Sequence, residues 1–189
     1  PEHELNLIFT RLLAGPMDYT PGIFGMETRS PDGVATTWAK QLALYVTIYS
    51  PIQMAADVLE NYEANPAPFQ FIKDVAVDWD ETHVLNGEIG DFVTIARKER
   101  GTREWFLGSI TDENPRSLQA SLSFLEPGVR YRAEIYRDGP NADWRDGNGR
   151  SRTDIVIEQK TVTSADTLPL NLAPGGGQAI RFVPLGRGR

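Results

Sequence analysis

Residues 9–24, FTRLLAGPMDYTPGIF, and residues 35–57, ATTWAKQLALYVTIYSPIQMAAD, decide how the rest of this chain is read. Leu5, Ile8, Phe9, Leu12 and Leu13 recur at helical spacing. They predict a first helix with Glu2 and Glu4 at its N-terminal end, stopping near Gly15-Pro16. Met17–Thr20 is predicted as a short strand closed by Pro21-Gly22. Beyond a loop at Glu27–Gly33, Ala35, Trp38, Ala39, Leu42, Val46 and Tyr49 form one apolar stripe. That stripe predicts a helix capped near Thr36 or Thr37 and ended by Ser50-Pro51, with Lys40 and Gln41 off the stripe. Ile52–Ala56 reads as a buried strand with Asp57 at its C-terminal end. Val58–Asn65 reads as a polar connection, and Pro66–Val77 as another short helix.

Alternating helix and strand points to an α/β architecture with parallel strands. Two such strands do not make a stable parallel sheet. Residues 1–80 are therefore expected to be the last part of a larger α/β domain, and the chain, which starts at Pro1-Glu2-His3-Glu4, a piece of a longer protein. Parallel barrels carry their reactive groups at strand C-termini, which draws attention to Asp18 and Asp57.

The character changes across Trp79–Gly90, and residues 81–189 read as all β. Alternating segments at Asp91–Lys98, Glu104–Thr111, Arg116–Leu125, Arg130–Asp138, Asp154–Thr163 and Ala179–Val183 predict six or seven strands. Pro127-Gly128, Asp138-Gly139-Pro140, Asp146-Gly147-Asn148-Gly149 and Pro174–Gly177 supply turns. Short, half-polar strands of this kind predict an antiparallel β-sandwich. Arg187–Arg189 reads as a tail.

The chain has no cysteine, which excludes disulfides and thiol chemistry. No apolar run approaches the roughly 18 residues of a membrane span. The net charge of −7 lies entirely in residues 1–80, which hold four basic groups against eleven acidic ones. Nucleic-acid backbones call for the opposite sign; an acidic first part suits a carboxylate-lined cleft or a hard-cation site.

Glu2, His3 and Glu4 read either as helix-end carboxylates favoured by the dipole or as an acid or cation-binding group. A glycosidase needs one carboxyl to protonate the departing oxygen and a second carboxylate across the sugar. Asp18 and Tyr19, between two Pro-Gly corners, suit a pocket wall or a structural turn. Asp57 suits a substrate hydroxyl or a helix cap. Trp105 and Trp144 would serve a carbohydrate-binding module if exposed on a sheet face; otherwise the β part is a structural module.

Three stretches now read together. FTRLLAGPMDYTPGIF, TTWAKQLALYVTIYSPIQMAAD and NYEANPAPFQFIKDVAVDWDET, followed by GEIGDFVTIARKERGTREWFLGSITDENPR, resemble the C-terminal part of glycoside hydrolase family 97, α-glucosidases and α-galactosidases. The resemblance implies that residues 1–80 end a catalytic (β/α)8 barrel and that residues 81–189 form its C-terminal β-sandwich. It implies calcium bound through glutamates, an α-glycoside or oligosaccharide substrate, contacts with an upstream part of the same polypeptide, and a periplasmic or extracellular location. The resemblance further implies a general acid in the Glu2–Glu4 stretch, with Glu2 preferred and the other glutamate contributing to calcium binding. Asp18, Tyr19 and Asp57 would shape the sugar pocket. The opposing carboxylate would precede Pro1, so this chain alone is expected to be inactive.

Overall fold

The helix predicted from the Trp38 stripe is buried along its whole length, polar residues included. It spans Trp38–Thr47 (α2) in a computed structural model that describes residues 2–26, 34–146 and 151–186. The expected loop at 27–33, most of the Asp146–Gly149 turn and the tail at 187–189 lie outside the described residues. Thr37 is the N-cap: its backbone is extended and its Oγ1 accepts the Lys40 N–H at 3.2 Å. At the other end Ile48 turns extended, and Arg97 Nε donates to the Val46 carbonyl at 2.7 Å. A cation there also suits the negative end of the helix dipole. The helix therefore stops at Thr47, short of Ser50-Pro51. Its C-terminal partner comes from a distant strand, which local sequence does not reveal.

The first helix, α1, spans Glu2–Phe9 and buries Leu5 and Ile8. α1 thus stops short of the predicted end at Gly15-Pro16, and a separate 3-10 turn at Arg11–Ala14 covers the remaining stretch. Val58–Asn65 is not a mere connection: Leu59–Ala64 forms a short helix, α3. Helix α4 follows at Pro66–Asp74, with proline in its first turn where no N–H is needed. The two predicted strands reduce to one parallel bridge, Tyr19 to Gln53. Ile52 and Met54 are 69% and 44% exposed, not buried. The reason is physical: among the described residues no further strand flanks the pair, and an isolated two-strand parallel ladder has neither covered faces nor covered edges.

The remainder is antiparallel. The strands are β1 (Trp79–Glu88), β2 (Phe92–Glu99), β3 (Trp105–Thr111), β4 (Arg116–Ser121), β5 (Tyr131–Asp138), β6 (Ile155–Val162), β7 (Thr167–Leu172) and β8 (Gly177–Pro184). Six of them form a sheet in the order β1-β2-β3-β8-β5-β6, and β4 pairs with β7 in a two-stranded ribbon. The sequence reading missed β1 and β7. β1 is largely polar and exposed, so it lacks alternation. β7 contains Pro169, but among the described residues it pairs with β4 alone, and a strand with a free edge tolerates the missing donor.

The six-stranded sheet is the middle layer. Val93, Ile95, Phe106, Ile110, Tyr136 and Ala179 point toward the helices and join Leu5, Leu42, Val46 and Phe71 in one core. Ala96, Trp105, Leu107, Ala133, Ile180 and Phe182, on the opposite face, join Ala120, Leu122 and Leu170 under the ribbon. The period of two along each strand thus serves two cores, and every residue of β3 is buried.

Two glycines set the distance between α2 and the sheet. A Cβ on Gly108 would lie 2.6 Å from the Ala43 carbonyl oxygen and 2.9 Å from Val46 Cβ. One on Gly177 would lie 2.7 Å from Lys40 Cα. Gly108→Ala is expected to destabilise the chain by about 1–3 kcal/mol through overpacking. Chemical unfolding checks this, with Gly186→Ala, where nothing lies within 4 Å, as the silent control.

Candidate functional site

Three side chains from three segments meet at the head of α1. Tyr19 donates its hydroxyl hydrogen to Glu4 Oε1 at 3.0 Å. The Lys40 ammonium lies 2.9 Å from Glu4 Oε2 and donates to the Thr111 carbonyl, also at 2.9 Å. Lys40 is wholly buried, and Glu4 retains 18% side-chain exposure. Glu4 Oε2 itself is shut off from solvent and has no aligned hydrogen-bond donor; the nearby ammonium is what offsets its charge. Burial, then the Glu4 charge and hydrogen bond, raise the Tyr19 phenol well above its ordinary value. Tyr19 therefore stays a neutral donor.

The loop after Tyr19 is held from below by polar side chains of α2. Gln41 Oε1 accepts the Gly22 and Ile23 N–H groups at 2.8 and 3.1 Å, and its amide donates to Thr36 Oγ1 at 2.9 Å. Tyr45 donates to the Pro21 or Met54 carbonyl, 3.1 and 3.2 Å away. Trp38 Nε1 donates to the Phe24 carbonyl at 3.0 Å, and the Phe24 ring contacts Trp38 and Tyr62 at centroid distances of 4.9 and 5.3 Å.

Asp57 closes the same loop. Its Oδ2 accepts Phe24 N–H and Gly25 N–H at 2.7 and 2.6 Å; its Oδ1 accepts Val58 N–H and the Asn61 amide at 2.8 and 2.7 Å. Burial alone would raise its pKa, but these four donors outweigh it and hold the carboxyl below its ordinary value. A carboxylate offers about four lone-pair sites, so protein donors fill them. Asp57 acts here as a loop clamp.

The structure thus brings Glu4 and Tyr19 together, and leaves Asp18, Glu2 and His3 exposed nearby in sequence. For calcium, the residues do not make a site by themselves. Among the described residues no three His, Asp or Glu side chains converge; Glu4 takes a hydrogen bond from Tyr19 on Oε1 and faces the Lys40 ammonium across an ion pair on Oε2. The aromatic platform of a binding module is also missing. Trp105 is 3% exposed and sits in the core under the ribbon, Trp144 is half-buried, and no aromatic ranks among the exposed large apolar side chains described.

Sequence reasoning missed the residues that tie this region to the sheet. Besides Lys40 and Gln41, Asp138 at the end of β5 is nearly inaccessible. It accepts from Thr37 Oγ1 at 2.6 Å and from the Ala173 and Gly177 N–H groups at 2.8 and 2.9 Å. Thr37 thereby caps α2 with its oxygen and anchors it with its hydrogen. Burial pushes the Asp138 carboxyl up to about 6, against the pull of those donors and of Lys40. The available signal was a cluster of polar residues beside the stripe of an otherwise apolar helix.

Residues 78–183 match the family described as Glycosyl-hydrolase 97 C-terminal, oligomerisation. A retaining α-galactosidase of Bacteroides thetaiotaomicron is 33% identical over 188 residues, covering 96% of this chain and 27% of that protein. A probable retaining α-galactosidase of Streptomyces bingchenggensis is 32% identical, covering 94% of this chain and 25% of that protein. A glycoside hydrolase family 97 enzyme from Pseudoalteromonas sp. strain K8, solved with acarbose, superposes with a TM-score of 0.92 at 49% identity. That match covers 98% of this chain and 29% of the enzyme, and a variant of the enzyme solved with panose matches equally well. The chain therefore spans little more than a quarter of the length of these relatives. The partial barrel followed by a β-sandwich, read from the sequence, is the architecture of those family structures.

Asp138 and Asp57 carry opposite pH signatures. Between about pH 4 and pH 6 folded Asp138 binds more protons than unfolded Asp138, so its stabilisation is full below 3.8 and is lost as pH rises through about 6. The melting temperature of the wild type is expected to fall relative to that of Asp138→Asn between pH 4.5 and 7.5. The depressed Asp57 contributes above pH 3.8 and loses its contribution as pH falls, so Asp57→Asn is expected to cost stability at neutral pH and less in acid.

Proposed function

The chain belongs to glycoside hydrolase family 97, and on that premise we propose that it is the C-terminal part of an enzyme that hydrolyses α-glucosides or α-galactosides. The observation that carries this is the alignment of 98% of the chain with a family 97 enzyme at 49% identity. In this reading residues 1–80 close a (β/α)8 barrel and residues 81–189 form the β-sandwich that braces it. Leu13, Ile52, Val58 and Leu59 are 80, 69, 51 and 62% exposed. All fall in the first part, where the rest of a barrel would cover them. The parallel bridge between Tyr19 and Gln53 fits neighbouring barrel strands.

Hydrolysis of a glycoside needs carboxyl groups on both sides of the scissile bond. Of this chain's two candidates, Glu4 is tied by Lys40 and Tyr19, whereas Glu2 lies open on the first turn of α1. We therefore assign proton donation to Glu2, and to Glu4, Tyr19 and Asp18 the shaping of the wall beside it. Asp57 acts from behind by fixing the loop at Phe24 and Gly25. The opposing carboxylate is assigned to an upstream part of the same protein. Calcium use is proposed for the whole enzyme, with Glu2 or Glu4 as this chain's contribution and the remaining ligands assigned to an upstream part of the same protein. Among the described residues no helix is long and apolar enough to cross a membrane; a periplasmic or extracellular site is proposed from the family resemblance.

The test uses the full-length protein. It is expected to cleave p-nitrophenyl α-glucoside or α-galactoside and to lose activity with a calcium chelator, while the 189-residue chain alone is expected to be inactive. Glu2→Gln is expected to lower kcat by about a hundredfold or more on natural oligosaccharides. An activated dinitrophenyl glycoside, whose leaving group needs no proton, should be spared. Undiminished turnover of both substrates by Glu2→Gln would place the acid elsewhere.

A further inference from the structure

Lys40 sits at a junction that the hydrolysis reading does not use. It lies in the first turn of α2, where the helix backbone meets the sheet at Gly177. From there its side chain runs, fully buried, between the two halves of the molecule. Its ammonium meets the Thr111 carbonyl at the end of β3 and Glu4 Oε2 at the head of α1. The anchor on the sheet side is itself braced. Thr111 N–H donates to the Gly176 carbonyl at 3.1 Å, and Thr37 joins α2 to Asp138 in β5. The anchor on the helix side carries Tyr19, the bridge residue of the first strand segment.

A buried ammonium is expensive unless paired and hydrogen-bonded, so packing alone does not account for a lysine at this position. Thr111 and Glu4 belong to different parts of the chain, and Glu4 is a carboxylate beside the proposed acid. Core packing alone would be served by a leucine or methionine of similar length.

We propose that Lys40 is the positioning residue through which the β-sandwich holds Glu4, and with it the head of α1, in register with the strand-end segment Asp18–Tyr19. The sandwich is then part of the site's construction rather than an appendage. This rests on the reading of the chain as the end of a family 97 catalytic barrel. Lys40 touches no substrate in this account; it acts through Glu4.

The experiment compares Lys40→Met, Glu4→Gln and the double variant with wild type in the full-length protein. Two readouts are taken: steady-state kinetics on an aryl α-glycoside, and amide hydrogen exchange of the peptide covering residues 2–9. In Lys40→Met, α1 is expected to exchange faster while β3 and β8 stay protected. kcat should fall about ten- to a hundredfold at nearly constant KM, as misplacement of a catalytic wall does. Glu4→Gln and the double variant should fall by the same factor as Lys40→Met, because the pair acts as one unit. The double variant should also regain thermal stability relative to Lys40→Met, since no unpaired carboxylate is left buried. A folded Lys40→Met protein with wild-type kcat, or with unchanged α1 exchange, overturns the proposal. An inactive wild type would sink the hydrolase reading instead, and the exchange of α1 would still decide whether Lys40 holds it.

Discussion

The contact on which the structure depends is backbone against backbone. α2 lies so close to the six-stranded sheet that side chains are excluded at Gly108 and Gly177. At that separation the helix is covered on every side, and even Lys40, Gln41 and Thr47 lose access to water. Burial forces each polar group to find a partner, and those partners are what knit the two halves. Thr37 finds Asp138, Lys40 finds Thr111 and Glu4, Gln41 finds the Gly22–Ile23 backbone, and Arg97 caps the far end at Val46. Close packing and polar bonding are therefore one design: without the glycines the helix would stand off, and water would serve those groups instead.

The same geometry explains why the change of composition near Trp79 is not a mechanical boundary. The match to the C-terminal family begins at residue 78, and β1 begins at Trp79. Yet one apolar core runs across that point, from Leu5 and Phe71 on the helical side to Phe106 and Tyr136 on the sheet. Phe71 meets Phe106 and Tyr136 edge-on, at 6.2 and 5.2 Å between centroids. Arg181 on β8 also reaches Asp74 of α4 at 2.8 Å while holding Glu104 at 2.8 Å. Separating the halves would expose a shared interior, so the sheet's helical face is a fixed interface rather than a hinge.

What sequence made legible here was whatever rests on local chemistry. Thr37 as a cap and the Trp38 stripe depend on neighbours within a turn or two. So does the alternation of Phe92–Lys98, Glu104–Thr111 and Arg130–Asp138. β1 escaped because its residues Asp80–His83 face water and the strand exists only through its ladder with β2. The buried Ile52–Ala56 strand failed because apolarity signals a wish for cover, not its presence. Of the candidate site, the pairing of Glu4 with Tyr19 rests on two residues that sequence had singled out separately. Lys40 had been set aside, since its partners lie at positions 4 and 111 and no spacing rule connects them.

Charge placement sharpens the point about function. The acidic excess of residues 1–80 suggested a cation site, and the structure disperses much of it into structural duty. Glu4 pairs with Lys40, Asp57 clamps a loop with four donors, Asp74 pairs with Arg181, and Asp78 and Asp80 share Arg100. Among the described residues near the strand ends, Glu2 and Asp18 remain open to solvent. A carboxylate already satisfied by protein donors has little capacity left for a ligand, whereas one left open needs only to exchange water for it. The acidic side chains that the fold does use thus form a frame around the strand-end segment rather than an open cluster of charge.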